Sequence, residues 1–566
     1  MKFSEMTYER IDTEAESKQY FAFAEAIKSA ESFEAADAAY LAYDRAVGHA
    51  DTLFAIAGIR HLLDREDVFY RQENLFCGQA DAELGSGRNA VAAAILDSPF
   101  RDAFAAKYGE ILLVKLRNAS DAQNPLIVEE RKTENKLTNE YDDVLLEAKV
   151  PWEGRLLTQH EMSEHKFTAD DGVRYRAWCA SGETYLNCGA ELDRIFDELV
   201  KTRTAAARKL GYENFIPLAY RRMQRDWFSR DDLPPFRAAV KECIVPLTVR
   251  LKRAQADRLG VAYPMNFADN TMTFRSGIPQ PAGTQEDTFR SAVRAFRELS
   301  PETAEFIGFL TEHECFDVSQ RAAKSSGGFV TFLPDFRAPF LFSHFSGEVT
   351  DVNSIMHEGG HAFAGYMSRN IVPAPLREPP LDTAEIHSQA MEFFLLPQAE
   401  LFCGQDALKF RVEHLTDAFT MIPYGVMVDE FQHLLYERPE WSPEERHDAW
   451  RELMGEYTPW LRLGDIPFYG DGRHWQRQPH IYTDPFYYID YVLSQIVALR
   501  FWAASRADFG DAWRRYLELV KQGGKKNFIE LVEIAGFESP FAAETLKRIA
   551  DSATAWLSGV DLSALK

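Results

Sequence analysis

Along roughly the first 200 residues, apolar positions recur every three to four residues with little Gly or Pro, the spacing of helices that bury one face. Residues 21–64 form the longest such stretch, rich in Ala, Glu and Leu, and residues 89–106 and 129–146 continue in the same manner. Residues 190–210 predict another long helix, closed by Gly211. Pro125, Pro151 with Gly154, Pro234-Pro235 and Pro264 mark breaks between such segments. Between residues 327 and 348 the period changes. Residues 327–333 are short, aromatic and β-branched, and residues 339–345 follow a turn at Pro334-Asp335, which predicts two strands of a small hairpin or sheet. Helical spacing returns at 352–367. Prolines 373, 375, 379 and 380 then predict a loop, and Asp382 or Thr383 is placed to cap a helix carrying Glu385 in its first turn. Residues 461–485 are polar and irregular around Gly464, Gly470 and Gly472, and 495–506 return to apolar helix. The pattern predicts a predominantly α chain with one minor β element and no solenoid repeat. We divide it into an N-terminal helical region, 1–165, and a region 166–566 that holds the chemistry.

That chemistry centres on His357-Glu358-Gly359-Gly360-His361. Two His four apart share a helix face, so both imidazoles can bind one Zn²⁺, and Glu358 sits where it can take a proton from the attacking water. Glu385 can supply the third ligand and leave the fourth position open, as catalytic zinc requires. Its rivals are Glu378 in the proline loop, Asp382, His387 and Glu392. Glu392 lies two turns beyond Glu385 on the same face and suits a supporting role, and Ser388 shares that face. The Gly359-Gly360 pair admits two explanations, tight packing against a neighbouring helix or room for something passing close by. Farther on, residues 479–491 gather His480, Tyr482, Tyr487, Tyr488 and Tyr491. Amide hydrolysis passes through an oxyanion that needs a donor, and Tyr488 and Tyr491 share a helix face at i, i+3. Such aromatic clusters often serve as core; the Gly-rich approach with His474 favours a substrate loop. An exposed strand edge of that sheet, beside the His357 helix, could dock an extended peptide as an added strand, or the sheet could simply cover the core.

Composition narrows the partners. A formal net charge of −24 and a pI near 5.1 give no basic excess for nucleic acid or anionic membranes. No apolar run approaches the roughly 20 residues that span a bilayer. The first residues carry no secretion-signal pattern, and the six Cys show no CxxC pair. A cytoplasmic enzyme is expected.

The runs 357–363, 384–394 and 485–491, with the stretch 209–215, resemble the M3 metallopeptidases, in particular their Pz-peptidase and oligoendopeptidase F-like branch, related to thimet oligopeptidase. The resemblance implies a multi-helical ellipsoid of gluzincin type, with a deep channel that admits short unfolded peptides and a channel wall to which residues 1–165 contribute. It implies His357, His361 and Glu385 as ligands of one Zn²⁺ per chain and Glu358 as the base. It implies Tyr488, Tyr491 and His480 as groups that bind substrate or stabilise the intermediate. The expected activity is zinc-dependent endopeptidase cleavage of short peptides by a monomer or small homo-oligomer. The alternative is a carboxypeptidase or dipeptidyl carboxypeptidase, which would need a cation such as Arg473 or Arg477 for the substrate's C-terminus. A peptide-binding protein with a vestigial site is a further rival, against which Glu358 speaks.

Overall fold

A computed structural model describes residues 1–122, 124–562 and 565. The expectation of a predominantly helical fold with a small sheet holds. The stretch 21–64 falls in two helices, Thr13–Lys28 and Phe33–Leu63: the first ends at Ser29, and Ser32 caps the next by accepting from the Ala35 amide. With Val68–Leu96 these helices close on their own apolar cluster, which includes Ile27, Tyr40, Ile95 and Phe104. The helix expected at 190–210 extends much farther back, from Asp171 to Lys209, and Gly211 follows it at φ +87°.

Two strands, β1 (Val150–Trp152) and β2 (Arg155–Leu157), form a short antiparallel ribbon. The functional sheet contains β3 (Phe316–Asp317), β4 (Gly328–Leu333) and β5 (Ala338–Ser343), in the order β3-β5-β4. β5 is wholly buried, pairing parallel to β3 and antiparallel to β4 with Phe329 opposite Phe342. β4 is therefore an edge strand, half-buried along most of its length and with one row of backbone groups unpaired within the sheet.

Behind the sheet lies the motif helix, Val349–Ser368. Its start has no side-chain cap; instead the buried Asp351 carboxylate accepts the amides of Ser346 (2.9 Å) and Gly347 (2.7 Å), holding the entry turn. The Glu385 helix, Leu381–Leu395, crosses it, and the tyrosine helix, Tyr488–Ala507, packs on the far side of that. The two glycines of the motif are explained by packing. A Cβ at Gly359 would stand 2.4 Å from the Phe296 ring, and one at Gly360 would stand 2.6 Å from both the His387 carbonyl oxygen and Ser388 Cα. Backbone cannot swing aside as a side chain can. Gly360→Ala is therefore expected to destabilise the fold by about 1–3 kcal/mol of overpacking, less the roughly 0.5–1 kcal/mol gained by Ala in a helix. A urea midpoint equal to that of the unaltered protein would show the crossing to be looser than described.

The predicted proline loop contains one helical turn, Ala374–Arg377. The N-terminal helices fix it: Asp44 accepts from the Ala374 amide at 2.8 Å, and Lys115 Nζ donates to the carbonyls of Pro375 and Glu378 at 2.7 and 2.5 Å. The Glu385 helix differs from expectation at its start. Its N-cap is Pro380, while Asp382 lies inside the helix and accepts from Trp227 Nε1 at 2.7 Å. Tertiary contact claims that carboxylate, so it does not cap, and Glu385 falls in the second turn.

Candidate metal centre

His357 and His361 project one helical turn apart toward Glu385 on the crossing helix. One ligand atom from each of the three lies within 4.8 Å of the others. Glu385 Oε2 is 3.4 Å from His357 Nε2 and 3.6 Å from His361 Nε2. Tetrahedral ligands bonded to zinc at about 2.0–2.1 Å stand about 3.3–3.5 Å from one another, so the two separations fit such an ion with little adjustment. Charge fits as well. Burial opposes a proton on His357, yet the Glu392 hydrogen bond and the carboxylates of Glu385 and Glu358 outweigh it and push its pKa up to about 9. Burial and the His357 charge push His361 down to about 3, and burial also raises Glu385. Three carboxyl groups thus crowd two imidazoles, with burial disfavouring the ionised forms of Glu385 and Glu358, a strain that a divalent cation between them would relieve.

Each donor is oriented from behind. Glu392 Oε1 is 2.6 Å from His357 Nδ1, which leaves Nε2 for a metal. His414 Nε2, on the helix Ala407–Glu437, stands 3.2 Å from the other Glu392 oxygen. Ser388 donates to Glu385 Oε2 at 3.1 Å, and the Tyr487 hydroxyl donates to Glu385 Oε1 at 3.1 Å. Of the sequence rivals, Glu378 has an exposed side chain, Asp382 is bound to Trp227, and His387 is buried beside the Gly360 crossing. Glu392→Ala should weaken metal binding about 10–100-fold, as loss of an outer partner typically does, and chelator competition would measure it. Unchanged affinity would mean that Glu392 does not orient His357.

The three donors and Glu358 line one cavity of about 490 Å³. Its opposite side is β4, from Gly328 to Phe332, and Tyr487 and Tyr491 close one flank. A Cβ at Gly328 would lie 3.1 Å from Glu358 Oε1, so the missing side chain leaves room for the carboxylate. Burial pushes the Glu358 carboxyl up to about 7, against the pull of His357. No lining residue of this cavity comes from 1–165; that region supports the Arg377–Pro379 side through Lys115 and Asp44.

The downstream aromatic run is brought to the site in part. Tyr491 lines the cavity, its ring 4.8 Å from that of Tyr487. Burial pushes Tyr491 up to about 12 and raises Tyr487 farther, so both hydroxyls keep their protons and remain donors. Tyr488 packs instead between Tyr424, His480 and Tyr491, against Gly425, and is not among the lining residues. His480 lies edge-on to Tyr488 and Tyr491 and is not itself among the lining residues. Sequence reading gave Tyr487 no role, although Tyr487 and Tyr491 also share a helix face at i, i+4. The run reaches its place through Phe486, held at φ +71° with its amide donating to Gln432 Oε1 (2.9 Å) and its carbonyl accepting from Arg225 (2.8 Å). Arg225 also pairs with Asp490 in the first turn of the tyrosine helix, at 2.6 Å.

Comparison with known proteins finds matches along the whole chain. Residues 3–123 match the peptidase M3 N-terminal domain, and residues 281–551 match peptidase family M3. A solved structure provisionally named an oligoendopeptidase F is 38% identical, with a TM-score of 0.92 and full coverage of both chains. The chain belongs to peptidase family M3. The structure of Pz peptidase A with an inhibitor is 37% identical, with a TM-score of 0.91 over 99% of this chain and 100% of that one. The oligoendopeptidase F homolog of Borreliella burgdorferi is 24% identical over 45% of this chain, and oligopeptidase PepF of Bacillus subtilis 21% over 45%. The matches span 43% and 38% of those two curated relatives, well under half of their length. Among the described residues, no helix is long and apolar enough to cross a membrane.

Proposed function

We propose that this M3 chain is a zinc-dependent oligoendopeptidase that hydrolyses internal bonds of short, unstructured peptides in the cytoplasm, with one zinc ion per chain. The observation that carries the reading is the convergence of His357, His361 and Glu385 beside Glu358 on the wall of one cavity. Zinc held by those three side chains would polarise the scissile carbonyl and make the attacking water more acidic. Glu358 takes the water's proton on a carboxylate oxygen and hands it to the leaving amine. Tyr491, which lines the cavity, is the foremost proposed donor to the oxyanion developing on the carbonyl oxygen, with Tyr488 and His480 the further candidates, while Tyr487 gives its hydroxyl hydrogen to Glu385. The free edge of β4 supports an extended substrate that adds as a further strand, its backbone aligned along the cavity. In this reading the N-terminal region, 1–165, is the part of the channel wall that holds the proline loop in place.

An exopeptidase reading on the same site has one observation in its favour. Arg473 is engaged by Asp471 at 3.5 Å, but among the described residues no carboxylate lies within 4.0 Å of the Arg477 guanidinium, which faces the Tyr469 ring. Paired peptides with free and amidated C-termini separate the two. The endopeptidase reading predicts the same internal cleavage of both; loss of cleavage in the amidated peptide would replace it with the exopeptidase reading.

A further inference from the structure

Beside the two tyrosines that line the cavity, one chain of hydrogen bonds ends on His480. The Tyr424 hydroxyl, on the helix Ala407–Glu437, donates to Gln478 Oε1 at 2.9 Å. Gln478 Nε2 stands 3.0 Å from His480 Nδ1. We propose that Gln478, oriented by Tyr424, fixes the tautomer of His480, so that its proton sits on Nε2 and is offered to the substrate's carbonyl oxygen. This rests on the reading of His480 as an oxyanion donor and names what makes it one.

An amide nitrogen has only hydrogens to offer, so the ring nitrogen facing it must accept. A neutral imidazole has one proton, which then belongs to the other nitrogen. The amide lies with its oxygen toward the Tyr424 hydroxyl and its nitrogen toward the ring, and that hydroxyl has no other hydrogen-bond partner among the described residues. Gln478 is itself held, its amide donating to the Trp475 carbonyl at 3.0 Å. His480 Nε2 has no protein partner among the described residues and is not sealed from solvent. The ring lies 5.8 Å from Tyr487 and 5.8 Å from Tyr491, the two tyrosines that line the cavity.

The charged groups facing His480 are Asp484 and Glu385, and the other titratable ones are the hydroxyls of Tyr487, Tyr488 and Tyr491. Burial lowers the His480 pKa despite the two carboxylates, which keeps the ring neutral near neutral pH. Gln478 and Tyr424 are positioning residues in this scheme, since neither touches the substrate.

The test uses the full-length, zinc-loaded protein with ¹⁵N-labelled histidine, the His480 signals being assigned by difference from His480→Gln. The expected spectrum has Nδ1 bare and Nε2 protonated; a protonated Nδ1 in the neutral ring overturns the proposal whether or not any variant folds. Gln478→Glu replaces a donor by a group that only accepts, and so draws the proton to Nδ1 and leaves Nε2 a bare acceptor. At pH 8 its kcat should fall about 10²-fold, the scale of one lost oxyanion donor, with KM little changed and the tautomer inverted. Recovery of kcat as pH falls is expected, because the imidazolium regains a proton on Nε2. An inverted tautomer with kcat unchanged would overturn the link to the reaction. A merely structural Gln478 would lower kcat without moving the proton, which also overturns it. If the unaltered protein cleaves no peptide, the peptidase reading fails instead, and the tautomer remains decided by the spectrum.

Discussion

Glu358→Gln is expected to keep the metal and lose the reaction. The amide occupies the carboxylate's volume beside Gly328 and leaves His357, His361 and Glu385 untouched, so zinc content should stay at about one ion per chain. What disappears is, among the described residues, the only carboxylate placed next to the ligands that is engaged neither as a ligand nor in support of one. Glu385 turns both its oxygens to the ligand set and to Tyr487, and Glu392 is spent on His357 and His414. With no group to take the water's proton and return it to the amine, kcat should fall by about 10²–10⁴-fold. Internally quenched peptides and elemental analysis of the same dialysed sample would check both halves. Activity within about tenfold of the unaltered protein would remove Glu358 from the mechanism, since general acid–base catalysis contributes at least about 10².

His361→Ala should fail differently, losing metal and activity together. It removes one of three donors, where Glu392→Ala removes only a partner of a donor, so affinity should fall by more than the about 10–100-fold expected there. The remaining pair, His357 and Glu385, are 3.4 Å apart and hold a cation from one side only. A second consequence needs no substrate. A ligand that binds only the folded state stabilises by about 2.7 kcal/mol when present at 100 times its Kd, so zinc should raise the melting temperature of metal-free unaltered protein and leave that of His361→Ala where it was. A metal-free His361→Ala protein that still cleaves peptides would refute the zinc site itself.

Much of the site was legible because it is local. The spacings His357 to His361, Glu385 to Ser388 and Glu385 to Glu392 are each one or two helical turns, and sequence distance then stands in for distance in space. The strand pair before the motif was legible from its short aromatic and β-branched runs on either side of the turn at Pro334. The Gly359-Gly360 pair left two explanations open in the sequence. Only the crossing helix, with the Ser388 backbone where a Cβ would go, selects packing.

Elsewhere the deciding partner is far away along the chain. Tyr487 meets Glu385 across about a hundred residues, and His414 reaches Glu392 from a helix whose own pattern is ordinary. Asp382 was expected to cap a helix and is instead bound to Trp227, a tertiary hydrogen bond overriding a local preference. The positive φ of Phe486, which sets the phase of the tyrosine helix, is held by Gln432 and Arg225 and has no signature of its own in the sequence. The three candidate ligands are therefore legible from the local motif, while the groups that orient them are supplied by tertiary structure.

The most direct test of the whole account is one sample of purified protein, analysed for bound metal and incubated with a mixed digest of short peptides whose products are read by mass spectrometry. The expected result is about one zinc per chain and new products cut at internal bonds, both abolished by a chelator and both restored by zinc. Products that persist in the metal-free protein, or a zinc-loaded protein that cuts none of the peptides, would contradict it.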